Sequence, residues 1–277
     1  MNGGDARLTL ARPDLAAASL EGVVPAARYA PTRALQLAAP GAGLHRAPDP
    51  ASEQMDELAF GERFDALEET GGFVWGQARR DGYAGFVAAA ALAPAGAAPT
   101  HRVSAIRTFA FAEPSIKTRA SGPYSLNALI HVEEEADRFA RCGALWFWRE
   151  HLAPIGAFER DPAAVAERFV GAPYLWGGRT SVGLDCSGLV QQALYACGRA
   201  CPRDTDQQAA LGRAIARGEL RRGDLVCWNG HIGLMLDEAR LIHANAHHMA
   251  VAIEPLSEAV SRIEAGGYGP PTSYRRL

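Results

Sequence analysis

From Tyr174 to Leu189 the chain reads Tyr-Leu-Trp-Gly-Gly-Arg-Thr-Ser-Val-Gly-Leu-Asp-Cys-Ser-Gly-Leu. Cys186 stands where this loop turns into an amphipathic run, Leu189 to Ala196. The positive end of a helix dipole favours thiolate over thiol and makes the sulfur nucleophilic. Its neighbours, Asp185 and Ser187, are polar, unlike the apolar surroundings of an inert structural cysteine. Two histidines in strand-like settings follow, His231 in Gly230-His231-Ile232-Gly233 and His243 in Leu241-Ile242-His243-Ala244. Together they are the parts of a thiol hydrolase: Cys186 as nucleophile, His231 as general base, His243 to hold the His231 ring in the right tautomer. A His231 imidazolium would lower the sulfur pKa. Iodoacetamide is then expected to label Cys186 ahead of the other cysteines near neutral pH. The Cys186 backbone N–H is expected to serve as one oxyanion donor.

These residues need elements to bring them together. Asn229-Gly230 is a hairpin signal that puts His231 at the first residue of a strand. A turn at Asp237–Arg240 and a return strand set His243 beside it. Leu225–Trp228 precedes this pair of strands and Met249–Ile253 follows it, completing a meander. Asp161 and Pro162 begin a helix through Val170, ended by Gly171, and Asp204 caps another to about Leu211. Helices first and an antiparallel sheet afterwards make an α+β domain. His243 and His247 have the i, i+4 spacing that could hold a metal on a helix. Asn245 and the β pattern on both sides argue against a helix, so no metal or other cofactor is expected.

The N-terminal half has a different texture. Residues 1–25 read as an arm with a short helical piece at Pro13–Leu20. Short β runs at Leu35–Leu37, Phe64–Leu67, Phe73–Ala78 and Tyr83–Val87, with a turn at Asp81-Gly82, suggest a small barrel over 26–95. A Pro/Ala/Gly linker at 93–98 precedes a second β-like block over 100–155. There Gly143–Phe147 followed by Arg149–Leu152 echoes Gly85–Val87 followed by Ala88–Leu92.

Asp185-Cys186-Ser187-Gly188, Gly230-His231-Ile232-Gly233 and Ile242-His243-Ala244, in that order, resemble the NlpC/P60 family of cysteine peptidases over residues 160–277. Phe60-Gly61-Glu62 through Gly82-Tyr83-Ala84-Gly85-Phe86-Val87 resembles bacterial SH3 domains. The resemblance implies one or two SH3-like units followed by a papain-like α+β domain whose nucleophile helix packs on the sheet carrying the histidines. It also implies hydrolysis of peptidoglycan stem peptides between D-glutamate and a diamino acid. Pro202-Arg203-Asp204-Thr205 stands where relatives acting on free stem peptides carry an Arg-Asp-Ser-type sequence. Asp204, with Thr205, is thereby implied at the substrate's N-terminal ammonium, although Asp204 also reads as a helix cap. Tyr83 is implied over the first L-alanine, with an acidic partner among Glu53, Glu57 and Glu62. Trp176 is implied as a substrate-lining aromatic, and Asp185 and Ser187 are counted with the substrate contacts.

Composition narrows the setting. The chain has 277 residues, 48% of them hydrophobic and 8% aromatic, with net charge −3 and pI about 6.2. It is rich in Ala, as high-GC bacterial sequences are, and Lys is nearly absent. This charge argues against nucleic-acid and anionic membrane partners. The start lacks a signal-peptide pattern. Five cysteines, an odd count with one reactive candidate, fit a reducing compartment. The expectation is a cytoplasmic γ-D-glutamyl-L-diamino acid endopeptidase for free, L-Ala-terminated tri- and tetrapeptides in wall recycling. The alternatives are an exported hydrolase of polymeric peptidoglycan and a non-catalytic SH3-like binding module. The diamino acid and the oligomeric state are not legible.

Overall fold

Short runs of alternating apolar and polar residues dominate the chain up to Ile155, and they fold as strands. The computed structural model describes residues 5–277, and the chain divides into two units between Ile155 and Gly156. In the first unit, seven strands from Arg33–Leu37 to Leu92–Pro94 form one antiparallel sheet. Alternate residues point inward, so Leu35 and Leu37, Phe64 and Ala66, and Val74 share one core with Leu44, Leu58 and Val87. The expected runs at Leu35–Leu37, Phe64–Leu67 and Phe73–Ala78 all lie in this sheet, and Gly82 makes its turn at φ +84°.

The arm is not helical at Pro13–Leu20. Ala16–Ala17 pairs in parallel with Tyr29–Ala30, and only Ala18–Leu20 makes a 3₁₀ turn. The reason is tertiary. Leu10, Leu15 and Ala17 pack on Phe73, Trp75 and Phe86, and the Arg12 guanidinium lies 4.1 Å from the Trp75 ring centroid. Leu15 and Ala17 face inward with period two, which a strand allows and a helix does not.

The second β block forms a three-stranded and a five-stranded sheet over Val103, Ala110, Tyr124, Ile130 and Phe147. It closes as the first block does. Strand Leu145–Trp148, the 3₁₀ turn Arg149–His151 and strand Leu152–Pro154 mirror Ala84–Ala88, Ala89–Ala91 and Leu92–Pro94. Both closing strands read Leu-Ala-Pro. This repeat supports reading the block as a second SH3-like unit. The blocks meet at Phe60, whose ring is edge-on to Tyr124 at 5.1 Å. Glu62, 1% exposed, accepts from the Ala59 amide and from Arg80, which also donates to the Asn127 carbonyl.

The second unit opens with α1 (Pro162–Glu167), capped by Asp161, whose side chain accepts the Ala163 amide. The expected helix to Val170 stops earlier. Arg168, Phe169 and Val170 close i−3 bonds instead, and Gly171 at φ +81° ends the segment. Helices α2 (Cys186–Ala196) and α3 (Thr205–Gln208) follow. The sheet then comes as β1 (Leu225–Trp228), β2 (His231–Met235), β3 (Arg240–Asn245), β4 (Ala250–Pro255) and β5 (Ser273–Arg276), with α4 (Leu256–Ile263) before β5. The spatial order is Arg213–Ala214, β5, β1, β2, β3, β4. Helix α2 lies against β2 and β3. Helix α4 and strand β5 were not expected. Leu256, Ala259 and Ile263 of α4 cover Val226, Trp228, Met235 and Leu241 of the sheet.

Glu62 gives a stability test of the first unit. Glu62→Ala removes the buried carboxylate that neutralises Arg80 and should lower stability by about 3–5 kcal/mol in urea unfolding. An unchanged midpoint and slope would show that the pair does not hold the turn.

Candidate active site

Helix α2 starts at Cys186 because Asp185 stops the extended chain and caps it. The Asp185 carboxylate accepts from the Gly188 amide at 2.8 Å, the Ser187 hydroxyl at 3.0 Å and the Gly177 amide at 2.9 Å. Arg203 donates to both its oxygens, at 3.0 and 2.6 Å, and to the Ser187 hydroxyl at 2.6 Å. Asp185, Ser187 and Arg203 are all buried. Asp185 and Ser187, expected at the substrate, are therefore bound up in fixing the nucleophile's turn. Gly188 is required here, since a Cβ would collide with the Gly178 carbonyl oxygen.

The histidines arrive from the other side of the unit's core. Gly230 at φ +73° makes the β1–β2 turn, and Trp228 pairs with His231 across it. His231 Nε2 lies 2.8 Å from His243 Nδ1, and their ring centroids are 5.0 Å apart. His243 Nε2 lies 2.6 Å from Glu254 Oε1, and Arg262 of α4 bonds the same oxygen. The backbone amide of Ile232, next to His231, acts on the Cys186 sulfur and favours its thiolate. Thus Cys186, His231 and His243 converge as expected, and Glu254 and Arg262 extend the row. Sequence reading missed both, because Glu254 reaches His243 only through the β3–β4 register and Arg262 only through the return of α4.

Burial works against the ion pair expected. Burial pushes the Cys186 thiol up to about 12, with Asp185 adding to the rise against the Ile232 amide and Arg203. Burial pushes His231 down to about 3, assisted by His243 and Arg262 and opposed by Glu254. A helix terminus supplies about 0.3–2 kcal/mol, too little against a thiol shift worth roughly 4 kcal/mol. Burial thus opposes both charged forms, the thiolate and the imidazolium, and Cys186 is only 6% exposed.

Beside His231 lies a cleft of about 380 Å³ lined by Tyr174, Trp176, Asn245, Arg262 and Tyr268. Trp176 is 58% exposed there, as a substrate-lining aromatic would be. Tyr174, passed over in the sequence, also lines it, and burial raises its hydroxyl pKa. Asp204 caps α3 in a capping box with Gln207, and Thr205 opens that helix. Gln208 ties α3 to the nucleophile helix by donating to the Ser187 carbonyl at 3.0 Å. Tyr83 belongs to the first unit and packs in its core, 5% exposed. Among the acids considered with it, Glu62 is bonded to Arg80, Glu53 pairs with Arg46, and Glu57 is half-buried on strand Gln54–Ala59. His243 is in β3 while His247 is in the turn beyond it, stacked edge-on with His248.

Residues 171–265 match the family model described as NlpC/P60, and residues 44–92 match the bacterial dipeptidyl-peptidase SH3 domain. The second unit is thus a cysteine peptidase domain of the NlpC/P60 class. The chain thus carries an NlpC/P60 domain preceded by a bacterial SH3 domain. It is similar to the gamma-D-glutamyl-L-lysine dipeptidyl-peptidase of Bacillus subtilis, 31% identical over 33% of this chain and 34% of that protein. Dipeptidyl-peptidase 6 of Lysinibacillus sphaericus is 30% identical over 39% of this chain and 41% of that one. The chain thus spans well under half the length of these curated relatives. In fold it is similar to an NlpC/P60 family protein from Bacillus cereus, with TM-score 0.75 and 18% identity over 88% of this chain and 99% of that one.

The shifted groups set the pH behaviour. Burial disfavours the Cys186 thiolate, so iodoacetamide should label it slowly near pH 7 and faster as pH rises. His231 is competent as a base when neutral, and its lowered pKa keeps it neutral in acid. The acid limb of kcat/KM should therefore fall below the ordinary histidine value of about 6.5. Rapid labelling of Cys186 at pH 7, or an acid limb above 6.5, would show that burial does not govern the pair.

Proposed function

We propose that this protein is a γ-D-glutamyl-L-diamino acid endopeptidase acting on free, L-Ala-terminated peptidoglycan peptides. The single observation that carries the reading is the row Cys186, His231, His243, Glu254, whose base His231 lines an open cleft. His231 Nδ1 holds no other hydrogen bond among the described residues, so it is available to take a proton from sulfur. As the thiol adds to the γ-carbonyl of D-glutamate, that proton passes to His231 Nδ1. The tetrahedral species collapses to a Cys186 thioester as His231 protonates the leaving amine of the diamino acid. Water, deprotonated by the same nitrogen, then releases the L-Ala-D-Glu dipeptide and the thiol.

Neutral ground-state groups suit this course. Charge develops only on attack, where the helix terminus and fixed amides meet it without reorganisation. Bond choice rests on the relatives, two of which are named for γ-D-glutamyl-L-lysine dipeptidyl-peptidase activity. Recognition of the free amine rests on Asp204, which opens α3 beside the nucleophile helix. Recycling in the cytoplasm is supported by five cysteines that are all free.

Mass spectrometry of products from L-Ala-γ-D-Glu-diaminopimelate and its lysine analogue, each beside a copy acylated at the L-Ala amine, tests the reading. Dipeptide should form from the free peptides only. Asp204→Ala should lower kcat/KM by roughly 30- to 3000-fold, the loss of a buried charge-assisted bond of about 2–5 kcal/mol. Equal rates on blocked and free peptide, or dipeptide released from polymeric peptidoglycan, would favour a hydrolase of the intact wall.

A further inference from the structure

The row of groups beyond His231 holds more order than a base and its orienter require. In the β3–β4 register Leu241 faces Glu254 and His243 faces Ala252, which sets His243 and Glu254 diagonally on one face of the sheet. Arg262 reaches the same face from α4 and donates to the oxygen that lies 2.6 Å from His243 Nε2. Arg262 cannot accept a proton, so Glu254 Oε1 is fixed as an acceptor on both sides.

We propose that Glu254 is a positioning residue that fixes the tautomers of both histidines, leaving His231 with an unprotonated Nδ1 for the nucleophile. The inference rests on the peptidase reading for its kinetic consequence, but its structural content stands on hydrogen-bond logic alone. A carboxylate at 2.6 Å obliges His243 Nε2 to carry a proton. The reverse tautomer would set a ring lone pair against a carboxylate lone pair. A neutral His243 with its proton on Nε2 has a bare Nδ1. At 2.8 Å that atom accepts the proton of His231 Nε2, and His231 Nδ1 is left bare in turn. An imidazolium at His243 would undo this order by donating from both nitrogens. Burial opposes that cation and outweighs the support of Glu254, and the positive charge of Arg262 opposes it further. Glu254 itself is pushed up by burial but held below the usual carboxylate range by His243 and Arg262, so it stays an acceptor. One carboxylate thus sets a proton's address two rings away, and no atom of Glu254 need touch the substrate.

The test uses full-length protein with ¹⁵N-labelled histidine and a long-range ¹H–¹⁵N correlation spectrum, which separates Nδ1–H from Nε2–H tautomers. In the native protein both His231 and His243 should be Nε2–H. Glu254→Leu removes the acceptor, and His231 should switch to Nδ1–H. The kcat should then fall about 100- to 10,000-fold with KM little changed, the cost of a base in the wrong tautomer. Glu254→Gln keeps a carbonyl acceptor for His243 and Arg262. It should retain the native tautomers and most of the activity, which a merely electrostatic role would not give, while the His231 tautomer in Glu254→Leu separates positioning from packing. His231 found as Nδ1–H in the native protein overturns the proposal whether or not Glu254→Leu folds. So does an unchanged His231 tautomer in Glu254→Leu, or a Glu254→Gln enzyme as impaired as Glu254→Leu. Native tautomers as stated in a protein that turns over no peptide would instead refute the peptidase reading and leave the proton order standing.

Discussion

The Asp185 carboxylate accepts five hydrogen bonds, from two backbone amides, one hydroxyl and both terminal nitrogens of Arg203. Everything about the nucleophile depends on it. It ends the glycine-rich loop, starts α2 at Cys186, and holds Arg203 so that the chain leading to α3 begins close by. A buried carboxylate is tolerable only when fully paired. Here the pairing partners are the loop and helix it must join. Removing the carboxylate would strand Arg203, 1% exposed, without its counter-charge, so the turn and the pair stand or fall together.

The opposite wall of the site is built on the same principle with another geometry. Glu254 is paired by Arg262 and His243, and the pairing runs across two strands and into a helix. Between these two paired networks sit Cys186, which is buried, and His231, which is half-buried, and burial opposes the charged form of each. The arrangement sets fixed charges behind the reacting groups. Preorganised dipoles then act where charge forms, and no resting ion pair has to be broken for attack.

The nucleophile, the base and its orienter were legible because each depends on local chemistry. Cys186 stands where a glycine-rich loop meets an amphipathic run, Asn229-Gly230 is a turn, and the distance from His231 to His243 is one strand, one turn and a return. The α+β order and the first SH3-like sheet were legible from apolar periodicity and turn residues. Glu254 was not, because a glutamate on a strand gives no sign of which diagonal neighbour it will meet until the register is known. Helix α4 was missed since Pro255 and a short amphipathic run look like loop. The burial that opposes the expected ion pair was not legible, because sequence shows only the helix terminus that favours thiolate. Pro13–Leu20 followed a capping pattern, yet Phe73, Trp75 and Phe86 offered the arm a better apolar surface as extended chain.

The central claim is that Cys186 forms a covalent bond to the γ-carbonyl of D-glutamate. Rapid acid quenching of the enzyme with L-Ala-γ-D-Glu-diaminopimelate, followed by peptide mapping in a mass spectrometer, reads that bond directly. The account predicts an L-Ala-D-Glu acyl group on the peptide containing Cys186 and on no other, with free diaminopimelate released in equal amount. Hydrolysis with no acyl adduct on any cysteine, or an adduct on a residue other than Cys186, would contradict it.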